Sequence, residues 1–63
     1  MENSPAFKIA QKLLQQLTDR DHSAAAQSYQ LLLEIPERER NTEFAVLYAI
    51  GQYEMVLNEI LSA

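Results

Sequence analysis

His22 is the only histidine in the chain, and it stands between Asp21 and Ser23. Nucleophilic catalysis needs a nucleophile within hydrogen-bonding reach of an activating base. Adjacent residues on a regular helix point in different directions, so this triplet does not assemble such a pair. His22 reads as an exposed residue near a helix start. The paired carboxylates Glu37 with Glu39 and Glu54 with Glu59 lack a spacing that puts both on one helix face inside an apolar pocket, as general acid–base work requires. They read as solvated surface charge. With no cysteine and one histidine, a zinc site is short of nitrogen and sulfur ligands. Phosphate-cradling loops need several glycines, and Gly51 stands alone. The expectation is a non-enzymatic chain without cofactor, metal or evident small-molecule ligand.

The cations set the next limit. Nine acidic side chains oppose five basic ones, for a net charge of -4. Residues 41–63 hold Glu43, Glu54 and Glu59 and no Lys or Arg. Nucleic-acid binders depend on clustered cations, which makes nucleic acid a disfavoured partner. An anionic membrane surface is disfavoured on the same ground. A helix-turn-helix with Gly51 in its turn would make Met55 to Ala63 the reading helix, and that segment contains no cation. Lys8 and Lys12, one helical turn apart, together with Arg20 leave one alternative: a small regulator acting on nucleic acid or its machinery from that side.

The elements that carry these residues are legible from periodicity. Ser4-Pro5 reads as an N-cap followed by proline at the first helical position. Ala6, Ile9, Ala10, Leu13, Leu14 and Leu17 then recur at helical spacing, opposite a face of lysines and glutamines. Thr18 to Asp21 breaks the pattern with capping residues, and Asp19 or Asp21 is placed to cap the next helix. That second helix is predicted from about His22 to Glu34, with Ala25, Tyr29, Leu32 and Leu33 toward one face. Pro36 limits it, since the proline ring drives Ile35 out of the helical region. Beyond Pro36 the chain has two organisations: one helix starting at the proline, or a fresh helix capped by Asn41 or Thr42. We favour one helix over about 38–61, kinked or unkinked at Gly51.

Within that helix, Phe44-Ala45-Val46-Leu47-Tyr48-Ala49-Ile50 has no polar residue. At 3.6 residues per turn, such a run covers every direction around the axis. A helix apolar all round is normally buried in a large core or a membrane. A membrane span needs about 20 predominantly apolar residues, and Gln52, Glu54, Asn58 and Glu59 intervene. A 63-residue chain buries only roughly 60% of its unfolded surface. Two short amphipathic helices leave part of a third uncovered, and large uncovered apolar patches mark contact sites. The expected partner interface is Phe44, Leu47, Tyr48, Ile50, Met55, Leu57 and Leu61, facing another protein or a second copy.

Gly51-Gln52-Tyr53-Glu54, preceded by Leu47 to Ile50 and followed by Val56 and Ile60, resembles the turn and second helix of a tetratricopeptide repeat. Ala25, Tyr29, Leu32 and Pro36 are similar to the end of such a repeat. The offset from Tyr29 to Ile60 is shorter than the family's 34-residue period, and the large aromatic and glycine early in the first helix are missing. The resemblance implies peptide or protein binding by packed helical hairpins, and a helix break at Gly51.

The expectation is therefore one domain over 1–63, all-α, a three-helix antiparallel hairpin or bundle with the third helix open to a break at Gly51. It would serve as a small interaction module, of the adaptor, secretion-type chaperone or inhibitor kind. Met1 to Pro5 carries no basic leader and the residues after it are amphipathic, which points to the cytoplasm.

Overall fold

The computed structural model describes residues 4–40 and 43–62. Among them it is all-α, with four helices: α1 Pro5–Thr18, α2 His22–Leu33, α3 Glu37–Arg40 and α4 Phe44–Ser62. No helix among the described residues is long and apolar enough to cross a membrane.

The local signals act as their chemistry dictates. Ser4 caps α1, its Oγ accepting from the Phe7 amide at 3.1 Å, with Pro5 in the first turn. The α1 C-terminus closes by a left-handed turn. The Asp21 amide donates to the Gln16 carbonyl at 3.0 Å and the Arg20 amide to that of Leu17 at 3.2 Å, while Arg20 takes φ 59°. This is the Schellman pattern, with an arginine where glycine is usual. Asp21, the second of the two expected candidates, caps α2 by accepting from the Ala24 amide at 3.2 Å. Pro36 ends α2 as expected, and its carbonyl then opens α3 by accepting from the Glu39 and Arg40 amides at 2.9 and 3.0 Å.

Two expectations need correcting. The stretch anticipated as one helix over 38–61 is two helices, so the described chain has four and not three. Glu37 to Arg40 contains no apolar side chain that would hold it in line with α4, and none of its four residues is buried. The Glu43 carbonyl restarts the ladder, accepting from the Val46 and Leu47 amides at 3.1 and 3.3 Å. The alternative caps, Asn41 and Thr42, lie outside the described residues. The second correction concerns Gly51. Neither the break open in the sequence nor the one implied by the tetratricopeptide resemblance occurs, because α4 is continuous through it. Val46, Ala49 and Ile50 before the glycine and Tyr53 after it pack on the same core. That anchorage on both sides offsets the helix-weakening effect of one glycine, about 1 kcal/mol relative to alanine.

The core is small. Ala6, Ala10, Leu13, Ala25, Leu32, Val46 and Ala49 are buried, and Leu13, Leu32 and Val46 are the largest fully buried side chains. Burying each of those three contributes about 1.5–3 kcal/mol. The alanines let helix backbones approach closely but bring little area. Helix α1 lies in the middle and packs along both α2 and α4, whereas α2 and α4 meet at few positions. Helix α4 is therefore covered mainly from one side.

Polar links join the helices at their edges. Ser4 Oγ donates to Glu43 Oε1, tying the start of α1 to the entrance of α4. Ser28 is buried in α2 and its Oγ donates to Gln16 Oε1 on α1 at 2.6 Å. Tyr29 of α2 stacks on Tyr53 of α4, ring centroids 4.3 Å apart and 20° from parallel. Tyr29 Oη also reaches Glu54 Oε2 at 3.4 Å.

Candidate functional site

The one-sided cover of α4 sorts its apolar residues into three groups. Val46 and Ala49 are buried, and Ile50 and Tyr53 pack half-buried against the same core. On the far side, Phe44, Tyr48, Gly51 and Met55 recur at intervals of four, three and four, the period of one helix face. Phe44 is 81%, Tyr48 50% and Met55 57% exposed, and Leu47 beside them is 47% exposed. The Phe44 and Tyr48 rings stack at 6.2 Å. The third group, Leu57, Ile60 and Leu61, lies in the last two turns and is exposed, Leu61 at 74%.

Of the seven residues singled out in the sequence, six are therefore exposed and Ile50 is turned toward the core. Ile60, not among the seven, is also exposed. It is spaced to continue the face of Val46, Ala49 and Tyr53, and with Leu57 and Leu61 it prolongs the apolar surface toward the C-terminus. Beside the exposed face, two shallow openings of about 400 and 370 Å³ share Leu17 and Val56 and form one groove between α1 and α4. Leu14, Tyr48 and Ile60 contribute apolar wall, with Arg20, His22 and Glu59 at the rim.

The electrostatics of α4 derive from its composition: Glu54 and Glu59 are exposed and no cation lies on the helix. Lys8 and Lys12 are exposed on α1. The fold raises the pKa of Tyr29 above 10.0, first by burial and then by the charge and hydrogen bond of Glu54. Among the described residues no group of three or more His, Cys, Asp or Glu side chains is placed to hold a metal ion.

The fold and this face define an all-α chain with one apolar helix face uncovered. Neither a protein-family model, nor a curated protein, nor a solved structure matches it.

Proposed function

We propose that the chain is a small acidic interaction module, of the adaptor, secretion-type chaperone or inhibitor kind, that binds another protein or itself through the outer face of α4. The observation that carries this reading is the run Phe44, Leu47, Tyr48 and Met55, at or near half exposure or well above it on one side of a single helix. Contiguous apolar surface of this kind is unfavourable in water and is normally covered by a partner. The seven buried apolar residues, four of them alanine, support the same reading, since a short chain with a thin core gains from a partner's added burial. In this reading α1 is the scaffold that holds α4, with α2 packed along α1 and α3 a short link.

A benzophenone amino acid placed at Tyr48 tests the proposal, with the same group at Lys12 as control. Irradiation is expected to yield adducts from position 48 and none above background from position 12. Equal yields from both positions would remove the α4 face from consideration. Binding of nucleic acid at low salt, lost steeply as salt rises, would instead favour the Lys8, Lys12 and Arg20 side.

A further inference from the structure

Met55 brings a sulfur chemistry that the interaction role leaves unused. The chain holds two methionines and no cysteine, so no thiolate competes for a mild oxidant, and Met55 is the methionine among the described residues. Its side chain is 57% exposed on the outer face of α4. It takes no part in the core, which is built from α1, α2 and the opposite side of α4. Gln52, three residues earlier and on the same side of the helix, turns its amide toward the sulfur, with Nε2 donating to Met55 Sδ at 4.0 Å. Gln52 is itself half-buried and lines the groove with Leu14, Leu17, Tyr48 and Val56.

We propose that Met55 is an oxidation site, at which a hydroperoxide converts the thioether to a sulfoxide held by Gln52. The modification turns the outer face of α4 from apolar toward polar while the fold stays intact, a consequence that rests on the interaction role proposed for this face. In the step, a lone pair of Sδ attacks the terminal oxygen of the hydroperoxide. The S–O bond forms as the O–O bond breaks, so sulfur gives up two electrons and the peroxide is reduced. The hydroxyl proton passes to the departing oxygen, which leaves as water or an alcohol.

The Gln52 amide distinguishes this sulfur from any other exposed methionine. A thioether is a weak acceptor, whereas the oxygen of a sulfoxide bears negative charge and accepts strongly. The transferred oxygen forms beside a donor already in place, in a partly buried position that strengthens the hydrogen bond. Because the sulfoxide is chiral, a donor on one side of Sδ favours one epimer. The effect on the surface follows from position. Phe44, Tyr48 and Met55 share one side of α4 with Leu47 beside them, and a polar group among them reduces the contiguous apolar area that a partner covers.

The test treats the full chain with hydrogen peroxide under native conditions and maps the product by peptide mass spectrometry. Met55 is expected to gain one oxygen with helical circular dichroism kept and retention on a hydrophobic-interaction column shortened. Methionine sulfoxide reductase should restore the original retention. Met55→Gln should show the shortened retention without oxidation, and Met55→Leu should keep the long retention after it. Reductases specific for each epimer should find one epimer in at least about twofold excess, the factor that one modest hydrogen bond gives. Gln52→Leu should bring that ratio toward one.

A Met55 that resists oxidation while Met1 is converted overturns the site, and loss of the helical signal on oxidation overturns the intact fold. Equal epimers in wild type, or an excess that survives Gln52→Leu, overturns the part given to Gln52. Full conversion with unchanged retention overturns the change of surface. The benzophenone at Tyr48 separates this inference from the interaction role. Adducts in equal yield from reduced and oxidised chains keep the interaction role and overturn the switch. No adduct from either chain, with the retention shift present, removes the interaction role and leaves the oxidation site standing.

Discussion

Tyr29 and Tyr53 stack at 4.3 Å, and this contact bridges α2 and α4, two helices that otherwise meet at few positions. Helix α4 is held mainly by α1, so the stack closes the side on which cover is thinnest. A stacked aromatic pair contributes about 0.5–1.5 kcal/mol beyond its area burial. A double-mutant cycle over Tyr29→Leu and Tyr53→Leu, followed by urea denaturation, is expected to return a coupling energy in that range. Additive single effects would mean that the rings merely fill space.

The same tyrosine gives the chain an alkaline limit. Burial first, and the Glu54 carboxylate second, raise the Tyr29 pKa above 10.0. The folded state therefore holds the phenolic proton more tightly than the unfolded state. The resulting stability is fully present below the unfolded pKa, near 10, and is lost as pH rises through the higher folded value. Thermal melts from pH 8 upward are expected to show wild type losing stability above about pH 10 more steeply than Tyr29→Phe. Glu54→Gln should lower the Tyr29 pKa toward its ordinary value, read by ultraviolet titration of the phenol.

Ser28 is buried and donates to Gln16 at 2.6 Å. Removing its hydroxyl leaves the Gln16 oxygen without this donor in a partly buried place, at a cost of about 1 kcal/mol. Ser28→Ala is expected to destabilise by that amount. A joint Ser28→Ala and Gln16→Leu variant should recover much of it, because replacing both partners with apolar groups can be nearly neutral. Chemical denaturation of wild type and the two variants measures the pattern.

At the end of α1, Arg20 is held at φ 59°. The left-handed region costs a residue with a Cβ roughly 1 kcal/mol, a strain glycine does not carry. Arg20→Gly is expected to raise stability by about 0.5–1 kcal/mol, after part of the gain is lost to greater freedom in the unfolded chain. Arg20→Val should act in the opposite direction, since β-branched residues fit that region poorly. Urea denaturation of both variants beside wild type checks the two signs.

The sequence disclosed the elements most clearly where two signals coincided. Ser4-Pro5 marks the α1 start and Asp21 the α2 start, because caps act locally. Pro36 ends α2 for a steric reason that no distant contact alters. Ser28 escaped the periodicity, since a buried serine counts as polar until Gln16 is found opposite it. The separation of α3 from α4 was open because both organisations satisfy the same local rules, and docking of Val46 and Ala49 decides between them. The seven-residue apolar run predicted uncovered surface. Only the packing of α4 onto α1 distinguishes Ile50, turned to the core, from Tyr48, turned to solvent.

Gly51→Ala separates the needs of the folded chain from those of its outer face. With no atom within 4 Å of the added Cβ, alanine meets no clash and favours the helix by up to about 1 kcal/mol. In dilute solution, where the single chain dominates, the variant is expected to melt at a higher temperature than wild type. At high concentration, self-association through the outer face of α4, one form of the interaction role proposed above, would set the added methyl in the contact and shrink the advantage. A melting temperature that rises with concentration for wild type, as linkage of folding to association requires, and rises less for Gly51→Ala would place a second copy on this face. A constant advantage at every concentration would mean that nothing approaches the glycine closely, whatever else binds α4.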